Sequence, residues 1–237
     1  MPLRWLHRLS YLIAHAWREV IGPKLAPLVS AIGVIGLAIA AISLWGFAQI
    51  ADEVLEKETQ GFDTAILLFL RKLHTPLLDQ VMIGITVLGE PTILVGITLV
   101  LSLVVLIRRQ FAVGIVFAIA ALGAAGLNVL LKDVFARARP ALWERSVDVR
   151  FYSFPSGHAM VSLVIYGLIG YLLANHYKHR SRLILSLAAL LVVLIGFSRL
   201  YLGVHWPTDV IAGYAAGLVW LIACILSLDI LQRRPTR

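Results

Sequence analysis

Long apolar runs broken by short polar turns dominate this chain. A run of about 20 apolar residues is enough to cross the ~30 Å hydrocarbon layer of a bilayer. Six stretches meet or approach that length: 27–50, 77–107, 111–131, 156–174, 183–197 and 207–231. At ~1.5 Å per residue the stretch 77–107 is too long for one upright span, so it tilts, kinks at Pro91 or begins above the membrane. Residues 62–73 carry the apolar spacing of a short amphipathic helix lying at a surface. The chain has no repeat, low-complexity segment or linker. The pattern therefore predicts one all-α domain over 1–237, a polytopic bundle of about six transmembrane helices.

The polar breaks orient that bundle. Six spans put both termini on one side, and every break on that side is basic. They are the segment 1–26 with Arg4, Arg8, Arg18 and Lys24, the turn at Arg108 and Arg109, the turn with Lys178, Arg180 and Arg182, and a tail with Arg233, Arg234 and Arg237. Basic loops favour the cytoplasmic side, so both termini are expected there. Segment 1–26, with its interspersed tryptophans, reads as an interfacial stretch rather than a cleavable signal peptide. The acid-rich stretch with Asp52, Glu53, Glu56, Glu58 and Asp63 falls outside. The loop 132–155 breaks the rule: it is external yet holds Lys132, Arg137, Arg139, Arg145 and Arg150. Binding an anion is the obvious reason for such a breach.

Composition narrows the class. The chain is 60% hydrophobic and 14% charged, against roughly 25% charged in soluble domains, and its mean hydropathy is +0.89. A formal charge of +8 then belongs to cytoplasmic loops and lipid head groups rather than to nucleic acid. The single cysteine, Cys224, forms neither an internal disulfide nor a cysteine-rich zinc site and reads as a small apolar residue. Gly213 and Gly217, four apart in the last span, read as a close-packing face.

On the predicted topology three polar clusters share the outer face: Lys132 with Arg139 and Pro140; Pro155, Ser156, Gly157 and His158; and Ser198, Arg199, His205 and Asp209. Lysine and arginines supply donors for a dianionic phosphate. The Pro155–Ser156–Gly157 stretch at a helix start offers free backbone N–H groups, though none from proline itself, and the positive end of a dipole, with no Gly157 side chain to block an approaching ligand. His158, one step into that helix, can point at the same anion. His205 and Asp209, four apart, suit a nucleophile and the carboxylate that sets its tautomer. Glu90, beside Pro91, is an ionisable residue at membrane depth or in the outer interface and is a further candidate. Arg137 reads as head-group attraction or a solvated charge, and Arg145 and Arg150 as solvated charges. His176 and His179 lie on the cytoplasmic side and take no role.

The run from Lys132 to Arg139 and Pro140, the tetrad Pro155, Ser156, Gly157 and His158, and the Ser198, Arg199, His205 and Asp209 set together resemble the three-part signature of the type 2 phosphatidate phosphatase superfamily, with each fixed position and spacing met. The motifs span 132–209, and the six-span layout extends the likeness over most of the chain. The resemblance implies that His205 attacks phosphorus to form a phosphohistidine and that Asp209 orients it. His158 would protonate the leaving oxygen, while Lys132, Arg139, Ser156, Gly157 and Arg199 hold the phosphate. It implies no metal or other cofactor and a lipid phosphate substrate: phosphatidate first, then undecaprenyl diphosphate or phosphatidylglycerophosphate. The expected location is the cell membrane, multi-pass, with the active site on the external or periplasmic side. A lipid phosphotransferase, and a non-catalytic binding or transport protein for anionic lipids, are the competing readings. Oligomeric state is left open.

Overall fold

The computed structural model describes residues 31–143 and 151–232, and every regular element among them is helical. In chain order these are α1 (Ala31–Leu55), α2 (Gln60–Arg71), α3 (Pro76–Val87), α4 (Pro91–Ile107), α5 (Phe111–Phe135), α6 (Gly157–His176), α7 (Ser181–Tyr201) and α8 (Pro207–Gln232), with a 3-10 turn at Lys178–Arg180 between α6 and α7. Among the described residues five helices are long and apolar enough to cross a membrane alone, and α3 with α4, a pair bent by 44°, passes the same test together as a sixth candidate. The expected all-α bundle of about six spans is what forms. The basic segment 1–26, Arg145, Arg150 and the arginines of the tail lie outside the described residues.

The bend in the second span follows from its sequence. Pro91 has no N–H to continue the helix and starts α4, with Glu90 extended before it. The carbonyl of Leu88, freed by the break, accepts a hydrogen bond of 2.7 Å from the Tyr166 hydroxyl on α6. A backbone acceptor in an apolar surrounding thus keeps a partner. Of the alternatives for 77–107, the kink at Pro91 is the one that forms, as two helices meeting at Glu90.

The centre of the bundle is built from α5, α6 and α8. Val116, Phe117, Ala120 and Ala124 of α5 pack with Val164 and Leu168 of α6 and Leu221, Cys224 and Leu228 of α8. Outward positions on α1 and α4, including Ile42, Trp45, Leu99 and Ile107, remain exposed, as befits helices whose outer surface faces lipid. Gly213 and Gly217 do form a close-packing face. A Cβ at these positions would lie 2.7 Å from the Ser156 carbonyl and 2.8 Å from the Met160 carbonyl, so α8 runs against the backbone of α6.

Three helices run further than their polarity suggests, α1 ending at Leu55 rather than 50. α5 continues to Phe135 rather than stopping at 131, and α7 to Tyr201 rather than 197. Lys132, Ser198 and Arg199 look like helix exits in sequence, yet all three are buried. They face inward at the ends of their helices, where the protein rather than lipid surrounds them. Helix α2 buries Asp63, Leu67 and Leu70, and this surface helix packs across α7 and α8.

Candidate active site

The polar ends of α5, α6, α7 and α8 meet, and backbone hydrogen bonds lock their connections. The Ser156 N–H donates to the Asp209 carbonyl at 2.9 Å and the Ser153 N–H to the Arg137 carbonyl at 2.9 Å. Trp206 donates its indole N–H to the Ala138 carbonyl at 2.9 Å. The turn that delivers His205 passes through Gly203 at φ +65, where a Cβ would also lie 2.3 Å from the Trp143 ring. That conformation and that contact both require glycine.

His205 is buried at the centre. Its Nδ1 lies 3.3 Å from Asp209 Oδ2 and 3.4 Å from Ser153 Oγ, and its Nε2 lies 3.2 Å from Arg139 Nη1. A guanidinium only donates and a carboxylate only accepts. The proton therefore belongs on Nδ1, leaving the Nε2 lone pair directed at the cation. Burial, followed by the charges of Arg139, Arg199, Lys132 and His158, pushes the imidazole well below its ordinary value. It is neutral at pH 7 and available as a nucleophile.

Asp209 is fully buried and fully engaged. Its Oδ2 accepts from the Trp206 N–H at 2.9 Å and from the Ser153 hydroxyl, besides facing His205. Its Oδ1 accepts from Arg137 Nη1 at 2.6 Å. His205 sits in the turn before α8 and Asp209 in the first turn of that helix, while the Trp206 amide and Ser153 fix which carboxylate oxygen the imidazole meets.

The cations converge on the same point. Arg139 is steered by the carbonyls of Val204 at 2.7 Å and Phe151 at 2.7 Å. Lys132 donates to the carbonyls of Tyr152 and, at 3.5 Å, Ser153. Arg199 is held by Thr86 Oγ1 of α3 at 2.7 Å. Among the described residues three buried polar atoms, Ser156 Oγ, His158 Nε2 and Arg199 Nε, have no hydrogen-bond partner. Buried polar atoms without partners are costly unless a ligand engages them, and these belong to residues expected to hold a phosphate or, for His158, to protonate the leaving oxygen. The first N–H groups of α6 add donors and the positive dipole end. Among the described residues no three His, Cys, Asp or Glu side chains group as a metal site.

A family model described as the PAP2 superfamily matches residues 111–233. The chain belongs to the PAP2 superfamily. Phosphatidylglycerophosphatase B of Bacillus subtilis (strain 168) is 32% identical over 177 residues, covering 73% of this chain and 86% of that protein. An undecaprenyl-diphosphatase of Sulfolobus acidocaldarius is 29% identical over 165 residues, covering 66% and 74%. A crystal structure of a transmembrane PAP2-type phosphatidylglycerolphosphate phosphatase from Bacillus subtilis superposes with a TM-score of 0.76 at 29% identity, covering 82% of this chain and 98% of that one. This PAP2 protein is a multi-pass membrane lipid phosphatase, a hydrolase that works without a metal, as the phosphatases of its family do.

All eight residues expected at the PAP2 site, Lys132, Arg139, Ser156, Gly157, His158, Arg199, His205 and Asp209, lie at this junction of helix ends. Some reasons differ from those expected. The Ser156 N–H is occupied by Asp209 rather than free. Gly157 is required by packing, since a Cβ there would lie 2.7 Å from Asn128 Oδ1 on α5. Trp206 is buried against the site.

Sequence reasoning misplaced Arg137 and left two partners unseen. Arg137 is neither a solvated charge nor a head-group contact, because its guanidinium joins Asp209 to Asp63 of α2. Ser153 carries no motif and its contact with Asp209 is invisible without the fold. Glu90 Oε1 lies 3.3 Å from His158 Nε2, an ion-pair distance without hydrogen-bond alignment. The signal for Glu90 was present as a carboxylate in an apolar span, but its partner was not.

Proposed function

We propose that this PAP2 phosphatase removes the terminal phosphomonoester of a glycerophospholipid, with phosphatidylglycerophosphate as the first substrate, through a phosphohistidine at His205. The observation that carries the mechanism is the His205 imidazole, with Nδ1 directed at Asp209 and Nε2 at Arg139. The Nε2 lone pair attacks phosphorus as the bond to the lipid oxygen breaks, and His158 gives that oxygen its proton. Water then loses a proton to His158 and attacks the phosphohistidine, the P–N bond breaks, and inorganic phosphate leaves with His205 restored. Lys132, Arg139, Arg199, Ser156 and the Gly157 amide hold the phosphate oxygens and balance the charge of the transition state.

Phosphatidylglycerophosphate takes precedence over phosphatidate because of the Bacillus phosphatidylglycerophosphatase B and the phosphatidylglycerolphosphate phosphatase fold. The Sulfolobus relative supports undecaprenyl diphosphate as a second reading. The site is assigned to the external leaflet of the cell membrane, with both termini cytoplasmic. The basic turns at Arg108 and Arg109 and at 178–182 lie at the helix ends opposite the site, which supports that assignment.

The test is inorganic-phosphate release by the purified protein in mixed micelles, without an added acceptor, from phosphatidylglycerophosphate, phosphatidate and undecaprenyl diphosphate. Fastest release from the first is expected, and faster release from either other lipid overturns the substrate reading. The His205→Ala variant is expected to fold and to lose turnover. Substantial residual activity removes His205 from the nucleophile role.

A further inference from the structure

Behind the catalytic carboxylate lies a second buried carboxylate, joined to it by one guanidinium. Arg137 Nη1 donates to Asp209 Oδ1 at 2.6 Å and to Thr208 Oγ1 at 2.8 Å. Its Nη2 donates to Asp63 Oδ2 at 2.7 Å and to Thr59 Oγ1 at 3.1 Å. The four N–H bonds of the two terminal nitrogens are thus all used. Asp63 also accepts from the Thr208 hydroxyl at 2.7 Å and from the Thr208 N–H, in the first turn of α8, at 3.1 Å. The guanidinium lies over the Trp206 ring, 5.5 Å from its centroid. Both carboxylates are fully buried, whereas the Arg137 side chain is 14% exposed.

We infer that Asp63 and Arg137 are positioning residues for the phosphatase nucleophile, fixing the rotation of the Asp209 carboxylate and balancing the charge behind His205; this rests on the assignment of His205 as nucleophile. The geometry supplies both parts. With Oδ1 taken by Arg137, the carboxylate cannot turn, and Oδ2 alone is presented to the imidazole. A guanidinium beside Asp209 by itself would cancel the charge that the imidazole needs behind it. Asp63 occupies the other side of that guanidinium and restores a net charge of one negative unit across the trio. Charges this deeply buried interact strongly and are poorly screened. Asp63 comes from α2, outside the segment 111–233 that the family model matches. The amino-terminal part of the chain therefore contributes to the catalytic charge balance as well as to the membrane anchor.

Opposite charge changes at the two positions separate this role from simple support of the fold. The groups facing His205 are Arg139 from the loop, Lys132 from α5, His158 from α6, Arg199 from α7 and Asp209 from α8, with Ser153 beside them. None changes in either variant. Asp63→Asn keeps size and an acceptor but removes a negative charge, so the acid limb of the kcat/KM profile moves to lower pH. Arg137→Gln removes the cation and moves that limb to higher pH. In both, kcat falls on the order of 10- to 100-fold with little change in KM, the scale typical of partners one layer behind a functional ligand.

The experiment is a pH profile of phosphate release by the full-length protein and the two variants, each first checked by size-exclusion chromatography. Limbs displaced in opposite directions support the proposal. Limbs that stay at the wild-type position, or move together, overturn it. Should Arg137→Gln not fold, Arg137→Lys retains the cation and is expected to hold the wild-type limb while Asp63→Asn lowers it. Identical limbs in Asp63→Asn and wild type overturn the proposal in that case too. A wrong nucleophile assignment registers separately, as turnover remaining in His205→Ala.

Discussion

The sharpest single perturbation is Asp209→Asn, which preserves shape and replaces one acceptor oxygen by a donor. Oδ1 faces Arg137, which only donates, so the amide carbonyl takes that side. The amide NH2 then occupies the Oδ2 position, where it meets the Trp206 N–H, the Ser153 hydroxyl and His205 Nδ1. An NH2 there donates to Nδ1 and drives the imidazole proton onto Nε2, the nitrogen that must attack. Flipping the amide restores the tautomer but turns the NH2 against a guanidinium. Neither orientation serves. The same substitution behind a catalytic histidine in serine proteases costs about 10⁴-fold by the wrong tautomer, which is about 5.5 kcal/mol of barrier at 1.36 kcal/mol per decade. A loss of roughly 10³- to 10⁴-fold in kcat is therefore expected here. The Trp206 N–H also loses its acceptor, a penalty of about 1–3 kcal/mol, so thermal unfolding in detergent should fall by several degrees. The assay is single-turnover phosphate release from phosphatidylglycerophosphate beside a thermal melt. A variant that folds and retains kcat within about tenfold of wild type refutes the tautomer argument.

Three further outcomes follow from the same geometry. Removing either cation proposed to face the phosphate, in Lys132→Ala or Arg199→Ala, should cost on the order of 100-fold or more in kcat, read as initial rates; near-normal rates would place the phosphate elsewhere. Burial and the cations around it hold His205 below the ordinary histidine value; the neutral, attacking form persists above that lowered value and disappears as pH falls through it. The acid limb of the kcat/KM profile, which reports His205, should accordingly lie below about pH 6.5, whereas an acid limb centred at or above about 6.5 contradicts the burial argument. Gly213→Ala places a methyl group 2.7 Å from the Ser156 carbonyl, so α8 and α6 must separate at the head of the site. Overpacking of this kind costs about 1–3 kcal/mol and should lower both the melting temperature and kcat; an unchanged pair of values would show that the helices yield freely there.

What the sequence determined by itself is large, because the bilayer allows few solutions. Backbone groups in hydrocarbon must bond within helices, so runs of apolar residues specified spans, and Pro91 specified a break in one of them. The fixed spacings of Lys132, Arg139, Ser156, Gly157, His158, Arg199, His205 and Asp209 named the residues proposed to carry the chemistry before any coordinates. His205 and Asp209 were legible as a local pair from their four-residue spacing, although α8 begins only at Pro207 and His205 meets Asp209 from the turn before it.

Tertiary structure decided the contacts whose partners are distant in sequence and carry no periodicity. Arg137 and Asp63 each look like a solvated charge, since a charge in a polar loop gives no sign of its counterion. Only the packing of α2 against α8 turns them into a buried pair beside Asp209. Glu90 stood out as a carboxylate in an apolar stretch, but the 44° bend between α3 and α4 and the placement of α6 bring it to His158. Lys132 and Arg199 marked helix ends by polarity, while their burial depended on neighbouring helices enclosing them. Apolar pattern is dictated by lipid, which every span meets alike. Pairing among buried charges is set by which helices touch, and a one-dimensional pattern does not carry that.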